Sequence, residues 1–165
     1  MASTEPRARA DLSALFAPAT IAVVGASERD GNSAGYVMKN LARFGFAGRV
    51  IPVHTKAENV FGLKAFPTLS AMDATPDCVV IGLRAELVPE TLEEAGGMGA
   101  RGAVILASGF GESGPEGAAL EARVAEIARR YGMAVCGPNC LGLVACDSGA
   151  ALYSSTISPD LPRGT

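Results

Sequence analysis

Short aliphatic runs punctuate the chain: Ile21-Ala-Val-Val24, Val50-Ile-Pro-Val53, Cys78-Val-Val-Ile81, Ala103-Val-Ile-Leu106 and Ala134-Val-Cys136. Each is continuous and not interrupted by alternating polar residues, which is the mark of a strand buried on both faces of a parallel sheet. Their first residues lie 29, 28, 25 and 31 positions apart, the length of a strand–helix–strand unit. The segments between them share no sequence period, so the repetition is architectural and not that of a solenoid.

Those segments read as helices. Val37, Leu41 and Phe44 recur at helical spacing before Gly45, and Val88, Leu92 and Ala95 do so before Gly96-Gly97, which reads as the stop. The third helix opens on Ser113-Gly114-Pro115-Glu116, which offers a cap, a first-turn proline and an acidic residue at the positive helix end. Leu120, Val124, Ile127 and Tyr131 form its stripe, and Gly132 closes it. Phe61–Pro67 and Leu69–Met72 are irregular and read as a short strand and a helical turn. Strands alternating with helices imply right-handed crossovers, and the predicted fold is α/β: a Rossmann-like doubly wound parallel sheet with helices on both faces. The expected organisation is an N-terminal tail over 1–14, the domain over 15–155, and a linker over 156–165 toward a second domain. Ligands of such sheets sit at the carboxyl ends of the strands, which directs attention to the loops after Val24, Val53, Ile81, Leu106 and Cys136.

Composition narrows the function classes. A chain of 165 residues, 48% hydrophobic and 19% charged, can bury one ordinary core, which excludes disordered and collagen-like classes. With no Trp, 3 Tyr and 6 Phe, that core must be mostly aliphatic. A net charge of −3 provides no basic field for nucleic acid or an anionic membrane. Cys78, Cys136, Cys140 and Cys146 contain no two-residue CxxC spacing, and the single histidine, His54, is remote from them in sequence, so no zinc site is expected. Reduced thiols, no apolar signal core and no apolar stretch of about 18 residues lead to the expectation of a soluble, cytoplasmic protein.

The five loops carry the candidate chemistry. Gly25-Ala-Ser-Glu-Arg-Asp-Gly-Asn-Ser-Ala-Gly35 leads into a helix, where backbone N–H groups can approach a phosphate; the alternative is a strand-to-helix turn that needs glycine for geometry alone. It is neither a GxGxxG fingerprint, since Ser27 and Asp30 occupy two glycine positions, nor a P-loop. After the second strand, a dinucleotide site wants Asp or Glu on the ribose, but this chain has Val53-His54-Thr55-Lys56. Lys56 is suited to the 3′-phosphate of coenzyme A or the 2′-phosphate of NADP, or is a solvated surface lysine. His54, without a visible partner, reads as structural. Gly82-Leu83-Arg84 can border an adenine pocket, with Arg84 alternatively a rim charge, and Ala107-Ser-Gly-Phe-Gly-Glu112 offers small residues around one aromatic. Glu112 has no second carboxylate for an acid–base pair. In Gly137-Pro-Asn-Cys-Leu-Gly142, Cys140 is a nucleophile only if something makes it a thiolate, and no histidine accompanies it; a structural thiol is the alternative. These loops describe a binder without a catalytic pair.

Together they resemble the coenzyme-A-binding domain of ADP-forming acyl-CoA synthetases, the acetate–CoA ligase group, and more distantly the alpha subunit of succinate–CoA ligase. The resemblance rests on residues 21–27, 35–41, 48–56, 108–112 and the quite specific Gly-Pro-Asn-Cys-Leu-Gly of 137–142, and extends from about Leu15 to Tyr153. It implies that Gly25, Ala26, Ser27 and Ser33 face the CoA phosphates, that Lys56 holds the nucleotide phosphate, and that Leu83 and Arg84 border the adenine or pantetheine path. Ser108, Gly109, Phe110, Asn139 and Cys140 would lie toward the thiol end. The family commonly shows Asn-Pro-Lys at 54–56 and a valine–proline pair near 83–84, so this chain departs from it at His54, Thr55, Leu83 and Arg84.

In such synthetases an acyl phosphate is attacked by CoA, and the phosphoryl group passes through a histidine to a nucleotide. The expectation is therefore a CoA-binding domain, inactive alone, that takes CoA or acyl-CoA and works with a second flavodoxin-like domain and an ATP-grasp module. ATP, ADP and Mg would be confined to those modules. Two alternatives stand: a regulatory CoA-binding module of a protein lysine acetyltransferase, and an NADP-binding oxidoreductase domain.

Overall fold

The computed structural model describes residues 11–161. Positions 1–10 and 162–165, which include most of the predicted tail and the end of the predicted linker, lie outside the described residues. In chain order the elements are α1 (Ser13–Phe16), β1 (Thr20–Val24), α2 (Ser33–Arg43), β2 (Arg49–Val53), β3 (Asn59–Val60), β4 (Leu63–Lys64), β5 (Cys78–Ile81), α3 (Val88–Met98), β6 (Gly102–Ile105), α4 (Pro115–Tyr131), β7 (Ala134–Cys136), β8 (Gly142–Ala145) and β9 (Ala150–Tyr153).

The five aliphatic runs become one parallel sheet in the order β2-β1-β5-β6-β7. Because side chains alternate across a strand, each run feeds two cores. Ala22, Val24, Val79, Ile81, Ala103 and Ile105 pack with Val88 and Leu92 of α3 and Val124 and Ile127 of α4. Ile21, Val23, Cys78, Val80 and Val104 pack with Val37, Met38 and Leu41 of α2, and with Leu152 of β9. Both faces are thus covered, as the unbroken hydrophobicity of the runs predicts. No helix of the described residues is long and apolar enough to cross a membrane.

The local readings need four corrections. Helix α3 runs through Gly96-Gly97 and ends at Gly99, whose φ of 106° forms the left-handed cap. A Cβ on Gly96 would lie 2.4 Å from the Tyr131 ring, so this glycine serves the close packing of α3 on α4 and not helix termination. Ser113 does not cap α4: it belongs to the tight turn Gly111–Ser113, and Gly114 occupies the cap position without a side-chain bond. In place of one short strand over Phe61–Pro67, residues 59–64 form an antiparallel pair, β3 with β4, whereas Leu69–Met72 closes as the expected turn through Met72 N–H to Leu69 O (3.0 Å). The hairpin β8–β9 is an element that the pattern of long runs did not reveal.

That hairpin is fastened to α2 by a buried polar group. Asn40 is 0% exposed, and its Nδ2 donates to Tyr153 O (2.9 Å) and Ser155 O (2.8 Å). Replacing it with leucine, similar in shape but unable to donate, leaves both carbonyls without that partner. The expected loss is about 2–4 kcal/mol, from two hydrogen bonds and the desolvated groups they leave. Urea unfolding followed by circular dichroism measures this, and a midpoint matching the parent would show that the hairpin does not depend on Asn40.

Candidate functional site

Strand order reverses between β1 and β5: from β1 the sheet grows toward β2, and from β5 toward β7. The loops at the carboxyl ends of these two strands diverge there and leave a crevice, the expected ligand position in an open α/β sheet.

The β1–α2 loop is shaped mainly by one side chain. Asn32 caps α2 with Oδ1, which accepts from Gly35 N–H (2.6 Å) and from Ser27 N–H (3.1 Å). Its Nδ2 donates to Gly25 O (3.1 Å), so a single amide holds both ends of the loop. Gly35 belongs to the same arrangement, since a Cβ there would sit 2.4 Å from Ser27 O. Glu28 ties the loop outward by accepting from Phe61 N–H (2.7 Å). The hydroxyl Oγ of Ser27 is buried and has no partner.

Two clefts open beside this loop. The first, about 530 Å³, is lined by residues 31–33, 82–86 and 106–109. The second, about 300 Å³, lies toward β2 and is lined by Gly25, Ser27, Arg29, His54, Thr55, Leu69, Thr91 and Glu94, among others. Asn32 and Leu83 line both.

Of the residues singled out in the sequence, Ser33, Leu83, Arg84, Ser108 and Gly109 meet in the first cleft. Gly25 and Ser27 meet Leu83 in the second. Ala26 is 0% exposed and packs in the α2-side core, so only its backbone is available to a ligand. Lys56 is exposed on the loop that follows His54 and Thr55, outside both linings. Phe110 is 0% exposed and packs in the core shared with α3 and α4. Asn139 is exposed with φ 51°, and its N–H donates to Ala107 O (2.8 Å), which ties the β7–β8 loop to the wall of the first cleft. Neither it nor Cys140 lines either cleft.

One residue at the clefts escaped the reading of the sequence, and another was read as structural without its partners. Asn32 could have been found, because an asparagine just before a helical stretch is a common N-cap. His54 gave no such signal; its Nδ1 accepts from Lys56 N–H (3.1 Å) and Ala57 N–H (2.9 Å), which only the folded turn reveals.

The electrostatics favour holding an anion over performing acid–base work. Asn32 and Ser33 stand at the N-terminus of the 11-residue α2, where backbone N–H groups carry partial positive charge. Glu112, exposed, accepts from Gly109 N–H (2.6 Å), and that bond holds its carboxyl below the usual range while fixing the turn at Ser108–Phe110. Among the described residues, no three His, Cys, Asp or Glu side chains cluster as a metal site would require.

Cys140 is half-buried, with Sγ 3.4 Å from Ile105 O and 3.8 Å from Cys136 Sγ. Desolvation, reinforced by Cys136, pushes its thiol up to about 11. A thiol raised so far is protonated at neutral pH, so the structural reading of Cys140 is the better one. Its alkylation by iodoacetamide at pH 8 should run about a hundredfold below that of a free thiol and rise about tenfold per pH unit as the pH climbs. Peptide mapping by mass spectrometry reads this directly. Rapid labelling at pH 7 would restore the nucleophile.

The observed crevice can be set beside known proteins. Residues 19–145 match the family model described as CoA binding domain. The chain is 37% identical over 154 residues to acetate–CoA ligase [ADP-forming] II of Archaeoglobus fulgidus, covering 93% of this chain and 23% of that protein. It is 39% identical over 137 residues to the alpha subunit of acetate–CoA ligase [ADP-forming] I of Pyrococcus furiosus, covering 81% of this chain and 30% of that subunit. A solved structure from Ca. Korarchaeum cryptofilum, a dinucleotide forming acetyl-coenzyme A synthetase 1 in complex with phosphate and ADP, superposes with a TM-score of 0.82 at 35% identity. That match covers 93% of this chain and 32% of the other. The chain therefore spans less than a third of these relatives, and the stretch matched by the family model contains the switch-point crevice and all five strand-end loops. It belongs to the CoA binding domain family.

Proposed function

We propose that this chain is the CoA-binding part of an ADP-forming acyl-CoA synthetase and that it holds coenzyme A across the two clefts. The observation that carries this reading is their junction at Leu83 and Asn32, directly beside the N-terminus of α2. A long ligand with a charged middle suits two clefts joined at an anion-binding helix end. The unpartnered Ser27 Oγ and the loop held by Asn32 fit such a ligand, because both lie where a diphosphate would cross.

In this reading Gly25, Ala26, Ser27 and Ser33 face the diphosphate, Ala26 through its backbone alone. Lys56 reaches the 3′-phosphate, with Arg29 on the same rim. Leu83 and Arg84 border the adenine and pantetheine path. Ser108, Gly109, Asn139 and Cys140 stand toward the thiol, and Phe110 supports that end from within the core. When bound, coenzyme A supplies the thiol that accepts the acyl group. The domain's task is to hold that thiol in place for an acyl phosphate made elsewhere. ATP, ADP and Mg belong, in the same proposal, to further modules that complete the conversion of acid, CoA and ATP into acyl-CoA, ADP and phosphate.

Calorimetric titration with CoA, dephospho-CoA and NADP tests the reading. CoA should bind, and either removing the 3′-phosphate or the Lys56→Ala substitution should weaken it about tenfold, the scale of one charge-assisted contact. The two losses should not add. Saturable NADP binding without CoA binding would overturn the proposal in favour of an oxidoreductase domain.

A further inference from the structure

His54 ends β2 by holding a turn with its own ring. Nδ1 accepts from two consecutive backbone donors, Lys56 N–H at 3.1 Å and Ala57 N–H at 2.9 Å. A ring nitrogen that accepts cannot also carry a proton, so the proton of this imidazole sits on Nε2. The main chain of His54 is fixed independently, since its N–H donates to Phe66 O (2.9 Å). The ring therefore hangs from an anchored position, and the turn hangs from the ring. Asparagine achieves the same grip with Oδ1, which also stands one bond beyond Cγ. It differs in one respect: an amide oxygen accepts at every pH, whereas Nδ1 becomes a donor when the ring is protonated.

We infer that His54 is a positioning residue, a proton-sensitive latch that sets Lys56 beside the second cleft and releases it when the ring takes up a proton. The ligand concerned is a phosphate monoester on a nucleotide, so this inference rests on the CoA reading above. Protonation converts both hydrogen bonds into donor–donor contacts, and the Thr55–Ala57 turn must open. Charged groups around the ring pull in both directions. Arg29 from the β1–α2 loop and Glu94 from α3, of opposite sign, line the second cleft with His54, and Lys56 stands on the turn itself. Glu94 is already engaged, accepting from Ser70 N–H (2.8 Å). A charged ring would itself attract a phosphate, but it would do so after giving up the geometry that places the lysine. The latch therefore weakens phosphate binding as pH falls.

The test compares the wild-type chain with His54→Asn and His54→Ala, titrated with CoA by calorimetry from pH 8 to pH 5.5, the interval in which imidazoles gain charge. A phosphate monoester also takes up a proton in this range, so the readout is the ratio of wild-type to His54→Asn affinity at each pH. At pH 8, His54→Asn should rescue binding to within about threefold of wild type, and His54→Ala should lose about tenfold. Toward pH 5.5 the wild type should fall about tenfold relative to His54→Asn. A ratio that stays constant across pH, or a His54→Ala variant that binds like wild type, overturns the latch. A second measurement needs no ligand: the backbone amide resonances of Lys56 and Ala57 should shift together with the His54 ring as it titrates, and amides that stay still overturn the inference. A wild-type chain that ignores CoA at every pH would refute the CoA reading, and the amide shifts would then decide the latch alone.

Discussion

Alanine at Gly117 is expected to destabilise the domain by about 3 kcal/mol or more, the upper range for overpacking a rigid site. The first turn of α4 runs against the loop that follows β6. A Cβ on Gly117 would stand 1.9 Å from Phe110 O, 2.6 Å from Phe110 C and 2.9 Å from Gly109 O. These are backbone atoms, and they have nowhere to retreat. The Phe110 ring is 0% exposed, and its carbonyl already accepts from Ser113 N–H (2.8 Å). Relief must come from tilting α4 off the sheet or from pushing Ser108–Phe110 into the first cleft. Either route couples stability to ligand binding, so urea unfolding and CoA titration of Gly117→Ala should both show losses. A variant with the parent's midpoint would mean that the loop yields more easily than its contacts indicate.

Alanine at Gly25 should cost about 2–4 kcal/mol and more than tenfold in CoA affinity, because it combines two separate penalties. Gly25 has φ 83°, a region that side chains with a Cβ rarely enter. A Cβ there would also meet Gly82 O at 2.6 Å and Leu83 Cδ2 at 3.0 Å. Gly25 thus lets the loops after β1 and β5 approach one another, and Leu83, the residue common to both clefts, stands at that approach. Its carbonyl is held by Asn32, so a shift here would carry the α2 cap along. Thermal unfolding separates the effects: CoA at about a hundredfold over the parent's Kd should raise the melting temperature of Gly25→Ala by about half as much as that of the parent, or less. Equal stabilisation of both would show that the approach of the two loops does not shape the site.

The sheet was legible because it rests on the simplest signal. Val79, Val80 and Ile81 have no polar neighbour to alternate with, and two-sided burial follows from that alone. The loops to search followed in turn, since strand ends and topology locate the crevice without any side-chain detail. What stayed hidden depends on neighbours distant in sequence. Gly96-Gly97 looks like a helix stop until Tyr131, more than thirty residues later, is seen to occupy the space that a Cβ would fill. The strands of the β8–β9 hairpin are as long as β5 and β6 but fall outside the strand–helix–strand spacing that located the others, and Leu152 fixes their place in the α2-side core. Lys56 and His54 were both visible, yet the hold of the imidazole on the turn was not, because a hydrogen-bond acceptor leaves no periodic trace. Phe110 shows the opposite failure: an aromatic among small loop residues suggests a ligand surface, while here it anchors the loop in the core.

The grip of Asn40 on Tyr153 and Ser155 also bears on how such a module could be traded between proteins. The stretch shared with the family model stops at residue 145, at the end of β8 and before its partner strand begins. A graft cut at that point would carry a lone strand and a buried amide deprived of both its acceptors. A splice made beyond Ser155 would move the hairpin and its fastening together, so a recombination event that conserved the fold would have its seam some ten residues downstream of the last residue matched by the family model.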